Sequence, residues 1–161
     1  MENKNKKKNT FRPIMNNYLE QINSFSLKKI EESDLIDLQE TDEISIKTRR
    51  YLDDFIFYQF TIFFEEKTSE KFSNFLQILY RANSSNVYLW SKFCRDCGIC
   101  LLDSVLDINT QFSFECSDDI FILTTADMQD KILFDFYEKS ERRLLDIRLF
   151  GSSWSKIRWE F

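Results

Sequence analysis

From Gln111 onward the chain alternates apolar and polar positions with a period of two: Phe112, Phe114 and Cys116; Ile132, Phe134 and Phe136; Leu145, Ile147 and Leu149; Ile157, Trp159 and Phe161. Such alternation belongs to antiparallel strands with one buried and one wetted face. It predicts a C-terminal sheet of four to five strands that needs an apolar cover. The preceding hundred residues supply it. Ile14, Tyr18, Leu19 and Ile22 recur at three and four, which predicts a helix that Thr10 caps and Pro13 opens. Phe72, Phe75, Leu76, Leu79 and Tyr80 make a second helical face after Thr68. Ser84 or Ser85 starts a third helix through Val87, Trp90, Phe93, Cys94 and Cys97, closed by Gly98 as a left-handed cap.

Between these lie two less regular stretches. Residues 31–46 read as a solvated connector with little periodicity. Tyr51, Leu52, Phe55, Ile56, Gln59 and Phe63 fit a helical face, while the richness of Phe and Ile keeps a strand from Phe55 to Phe64 as the alternative. Leu101 to Thr110 is looser, and Thr124 to Asp130 holds enough for one short helical turn. With no Asn-Gly or Asp-Gly available, Ser117–Asp119, Lys139–Arg142 and Gly151–Ser153 are the expected reversals. The fold expected is α+β: N-terminal helices packed on a C-terminal antiparallel sheet, in a single domain of residues 11–161 behind a disordered basic tail, residues 1–10.

Composition supports such a core. Seventeen Phe, six Tyr and three Trp each bring about 150–250 Å² of surface to bury. Gly98 and Gly151 are the chain's two glycines and Pro13 its one proline, which leaves no Gly-rich phosphate loop or dinucleotide fingerprint. The opening residues are polar and basic, without an apolar targeting segment. The aromatic run from Phe55 to Phe64 is far shorter than the roughly 20 residues of a membrane helix. A soluble, cytoplasmic protein is expected, with no membrane partner and no cofactor.

Candidate chemistry is sparse. Cys94, Cys97 and Cys100 form a C-x2-C-x2-C run, with Cys116 as a possible fourth thiolate, like the opening of an iron–sulfur motif. The run lacks its C-terminal partner, and no second C-x2-C or histidine completes a zinc site. On an apolar helix face these cysteines read as small hydrophobes, so no metal is expected. The absence of histidine removes the Ser-His and Cys-His nucleophile pairs, and Asp118 with Asp119 or Asp127 with Asp130 read as solvated turn acids rather than an acid–base pair. No enzymatic activity is expected.

Charge segregation changes the picture most. Residues 31–46 hold seven carboxylates and residues 96–130 hold eight, with no Lys or Arg in either stretch. The rest of the chain carries all 22 bases against the other 12 acids, a balance of +10 beneath a net charge of −5. Concentrated like charge attracts a partner of opposite sign. The candidate partner-binding carboxylates are Asp118, Asp119, Asp127 and Asp130, with Asp34, Asp37, Asp42 and Glu43 as a second patch. A nucleic-acid partner is disfavoured; it would require the basic tail to share one positive face with Arg142, Arg143, Arg148, Lys156 and Arg158.

The helical first half, Val87-Tyr88-Leu89-Trp90, Cys97-Gly98-Ile99, the run Phe121 to Phe136 and the closing Gly151-Ser-Ser-Trp154 together resemble the small immunity proteins of contact-dependent growth inhibition systems. The likeness covers roughly residues 85 to 160. It implies a bacterial cytoplasmic inhibitor that neutralises the C-terminal toxin domain delivered by a neighbouring cell. Such toxins are often basic nucleases, so the implied mechanism is occlusion of a cationic groove.

Overall fold

The computed structural model describes residues 2–52, 54–114 and 120–160, with side chains from Arg12 onward. Its frame is a six-stranded antiparallel sheet in the order β1-β6-β5-β4-β2-β3: β1 (Phe57–Phe63), β2 (Val87–Trp90), β3 (Cys100–Leu102), β4 (Ile120–Thr125), β5 (Asp130–Lys139) and β6 (Arg142–Gly151). The helices are α1 (Glu2–Phe25), α2 (Leu38–Tyr51), α3 (Glu70–Ala82) and the single turn α4 (Cys94–Cys97). The α+β class and the antiparallel pairing agree with the alternation. The sheet is larger than four to five strands, because β1, β2 and β3 come from the chain before Gln111.

The strongest alternation makes the longest strands. β5 and β6 pair over their whole lengths, from Asp130 opposite Gly151 to Lys139 opposite Arg142. Their two-residue turn, Ser140-Glu141, has φ of 52° and 62°, the double left-handed geometry that matches strand twist in a hairpin. Phe121, Leu123, Ile132, Phe134, Phe136, Leu145, Ile147 and Leu149 fill the inner face, each at most 1% exposed. α1 lays Tyr18, Ile22 and Phe25 on that face, and α3 adds Phe72, Phe75, Leu76 and Leu79. Phe25 stacks on Phe121 with ring centroids 4.0 Å apart, and Phe75 meets Phe60 edge-on at 5.3 Å. Each buried Phe contributes about 1.5–3 kcal/mol, so this aromatic seam holds the helices to the sheet.

Several segments depart from expectation, each for a physical reason. The Phe55–Phe64 run is strand β1 rather than helix: Tyr58, Phe60 and Ile62 face the core while Phe57, Gln59, Thr61 and Phe63 face out. The expected helix from Ser84 to Cys97 divides into β2 and the single turn α4, since Val87 and Leu89 alternate with Tyr88 and Trp90 against β4. Gly98 does cap that turn, at φ 97°. The acidic connector contains α2, which starts where Asp37 accepts the backbone N–H of Glu40 at 2.8 Å. Ser69, not Thr68, caps α3.

At the other end, Phe112 and Phe114 are loop residues rather than a strand. Phe112 is an anchor whose ring touches those of Phe25, Phe64, Phe121 and Phe136. Ile157 and Trp159 are likewise outside the sheet, and Trp159 lies flat on Phe60 with ring planes 7° apart. Aromatic spacing of two therefore marks stacking in an irregular segment as well as a strand. Within Thr124 to Asp130, residues 126–129 are the β4–β5 hairpin turn, with Met128 at φ 63°, rather than a helical turn. The expected basic tail continues α1 from Glu2 onward, which places Pro13 inside the helix instead of at its start.

Candidate functional site

Three surfaces meet around α2. The first is the carboxylate run ahead of and along its N-terminal half. Asp34 accepts the backbone N–H of Glu31, closing a 3-10 turn over Glu32–Asp34, and Asp37 caps α2. Asp42 and Glu43 follow on the first two turns. All seven acids of residues 31–43 are exposed, and Arg12, on Glu32 at 2.7 Å, and Lys29, on Glu31, are the bases that pair with them among the described residues. Carboxylates near a helix N-terminus are favoured by its dipole, so the cap Asp37 and first-turn Glu40 stabilise α2 as well as charging its surface.

The other expected acids do not join them. Asp118 and Asp119 lie outside the described residues. Asp127 is exposed at the β4–β5 turn, where it accepts from the Asn83 amide. Asp130 is fully buried: Oδ1 accepts the backbone N–H groups of Ser153 and Trp154, and Oδ2 accepts from Asn83. Its lone pairs are occupied and no partner reaches it, so Asp130 is a structural residue rather than a contact. Charge counting along the chain does not distinguish a solvated acid from one that ties a turn.

The second surface is apolar. From the last residue of α2 to the first of β1, Tyr51, Phe55, Ile56 and Phe57 are all exposed, Phe55 to 95%. They lead into β1, a sheet edge of seven residues without a charge, a proline or a bulge. Natural edge strands usually carry such protection, and its absence beside exposed aromatics marks a contact surface. The signal is present in the sequence: three consecutive apolar residues, Phe55-Ile56-Phe57, cannot all face one core.

The third surface is a groove of about 720 Å³ between α2 and the outer face of the sheet. Thr41, Asp42, Ser45, Thr48 and Arg49 form the helix wall; Trp90, Ile120, Ile122, Thr124 and Lys131 form the floor; Lys92 and Arg95 come from the segment after β2. Four bases and one acid line it, against the acidic balance of the whole chain. Lys131 is held by Asp54 at 2.9 Å, whereas Arg49 and Arg95 make no salt bridge among the described residues. The groove is unreadable in the sequence because its helix wall lies in the stretch that looks like a connector.

The cysteines do not make an ionised cluster. Cys97 and Cys100 are buried and Cys94 half-buried. Burial raises all three thiol pKa values, that of Cys100 to about 12, so the thiols stay protonated near neutral pH. Cys116 lies outside the described residues. Among the described residues no group of three or more His, Cys, Asp or Glu is placed to hold a metal, and no helix is long and apolar enough to cross a membrane.

The C-terminal bases do not share one face. Arg148 points outward onto Gln59 and Phe57, while Arg158 lies over Tyr58 and Arg143 over Phe114, both packed on the inner side.

Fold and surfaces define an α+β protein with an antiparallel sheet, a helix whose N-terminal half is acidic and an exposed aromatic edge. No family model, characterised protein or solved structure matches the chain.

Proposed function

We propose that this chain is a non-catalytic immunity protein that binds a cognate bacterial toxin domain in the cytoplasm and neutralises it by covering its active site. The observation that carries this reading is the pairing of an exposed aromatic cluster, Tyr51 to Phe57, with a run of exposed carboxylates at the opposite end of the same helix. α2 spans 14 residues, which at 1.5 Å per residue separates the two by roughly 20 Å, within the width of one standard protein interface.

The two ends serve different parts of binding. Aromatic side chains in a desolvated patch supply most of the affinity of an interface. The carboxylates set the encounter rate with a basic partner and weaken as salt rises. Such an inhibitor needs no cofactor and no reaction of its own. The patch proposed is therefore Asp34, Asp37, Asp42 and Glu43 with the aromatic cluster, and Asp130 is withdrawn from it.

The test begins with the reading frame immediately upstream of this chain and uses the toxin domain that this reading expects it to encode. Asp42→Lys with Glu43→Lys, which leaves the Asp37 cap intact, lowers the association rate by about tenfold at low salt and less at high salt. Phe55→Ser with Phe57→Ser speeds dissociation. Unchanged kinetics in both variants, or the absence of a neighbouring toxin frame, defeats the reading.

A further inference from the structure

A helix laid over a sheet normally turns an apolar stripe toward it. α2 does the reverse over β2, β4 and β5. Its stripe at spacings of three and four is Thr41, Asp42, Ser45, Thr48 and Arg49, and only Thr41 and Ile44 of the helix are buried. Polar side chains at that spacing keep the helix from sealing against the sheet, and the groove is the result.

The groove has two chemical parts. Leu38, Trp90, Ile120 and Ile122 give it an apolar wall, and the Trp90 indole N–H is spent on Thr124 Oγ1 at 2.9 Å. The indole orientation is fixed by that bond, and its contribution to the groove is the ring. The second part is cationic: Arg49 reaches it from the last turn of α2, Lys92 from the segment after β2 and Arg95 from α4. Asp42 is the single acid in the lining, and Asp54 already offsets Lys131. The Ser45 hydroxyl is half-buried in the lining and makes no hydrogen bond among the described residues, while the Thr41 and Thr48 hydroxyls are engaged with backbone carbonyls. What is left unspent is therefore two guanidinium groups and one hydroxyl beside a fixed aromatic ring.

We infer that this groove binds a nucleotide, its phosphate held by Arg49, Arg95 and Lys92 and its base against Trp90 and the Ile120–Ile122 wall. The volume falls within the range of small-molecule sites. Guanidinium groups favour phosphate through paired N–H donors, and an aromatic face accepts any base by stacking. A simple anion would use the cations without the apolar wall. An apolar ligand would leave Arg49 and Arg95 facing it uncompensated. A nucleotide uses both parts. The site is separate from the aromatic cluster, shares only Asp42 with the carboxylate run, and makes no demand on the toxin reading.

The experiment is calorimetric titration of the full chain, at low salt, with the four ribonucleoside monophosphates, and with adenosine and inorganic phosphate as the two halves. At least one monophosphate binds in the micromolar range, about tenfold or more tighter than either half. Arg49→Ala with Arg95→Ala weakens it by about tenfold or more. Because these side chains are exposed and unpaired, thermal unfolding of the double variant is unchanged. Ser45→Leu, which projects a bulky side chain into the groove, abolishes binding. The inference is overturned if no monophosphate binds at millimolar concentration, if inorganic phosphate binds as tightly as every nucleotide, or if the arginine variant binds as the parent does.

Discussion

The carboxylate of Asp130 accepts the backbone N–H of Trp154 at 2.8 Å, and the same oxygen accepts that of Ser153 at 2.9 Å. With Asn83 on its second oxygen, this one side chain joins the end of α3, the start of β5 and the turn after β6. Asp130→Ala leaves two backbone donors and an amide without their acceptor, and the expected loss is about 3 kcal/mol. Urea unfolding checks it through a lower midpoint at unchanged slope. Asp130→Asn keeps the shape and one acceptor and loses less. A wild-type midpoint in Asp130→Ala contradicts the structural role.

Gly98 sets the path of the chain between α4 and β3. A Cβ there meets the carbonyl oxygen of Ile36 at 2.1 Å, on a backbone with φ of 97°. The carbonyl of Gly98 itself accepts the Tyr18 hydroxyl from α1. Gly98→Ala therefore forces the Ile36 strap away and strains the backbone, with an expected loss of about 3 kcal/mol. A thermal melt of the variant by circular dichroism measures it; a melt equal to the parent's shows that the strap moves freely.

The Ser140-Glu141 turn runs the other way. Both residues hold positive φ, a conformation that Asn-Gly adopts with far less strain. Replacing the pair by Asn-Gly is expected to stabilise the protein by about 1 kcal/mol and raise Tm by about 2–4 °C. An unchanged or lower Tm counts against the turn as drawn.

Alkaline pH acts through the buried thiols. Unfolded Cys100 ionises at its ordinary value of about 9 and the folded residue at about 12, chiefly because burial disfavours the thiolate. The native state thus keeps a proton that the unfolded state releases. Stability is present in full below pH ~9 and falls by a few kcal/mol as pH rises toward ~12. Burial raises Tyr18, Cys94 and Cys97 in the same direction. Urea unfolding at a series of pH values, with Cys100→Ala as the control, reads the effect; an equal slope in the control rules out Cys100 as its source.

These measurements fall on features of unequal visibility in the amino-acid order. The β5–β6 hairpin and the α1 and α3 faces are legible because Phe134, Ile147, Tyr18 and Leu79 repeat at the period of their element and face one core. α2 is not, since its buried residues are only Thr41 and Ile44 and its cap, Asp37, sits in a crowd of other acids. β1 is ambiguous because Phe on both of its faces, with Ile56 just before it, satisfies helical and strand spacing alike. Of the candidate contacts, Asp42 and Glu43 stand where their charge suggests, on an exposed helix. Asp130 does not, since nothing local in its sequence shows that Ser153 and Trp154 return to it.

The position of β1 at the sheet edge also orders events during synthesis. Its single strand neighbour is β6, and the pair Thr61 and Asp146 is separated by 85 residues. A ribosome adding 5–20 residues per second completes that interval in roughly 4 to 17 s. Until β6 is made, Phe57 to Phe63 has no strand to pair with. The nascent chain is thus most prone to self-association before β6 exists, and conditions that slow elongation late in the message will lower the yield of folded protein more than those that slow it early.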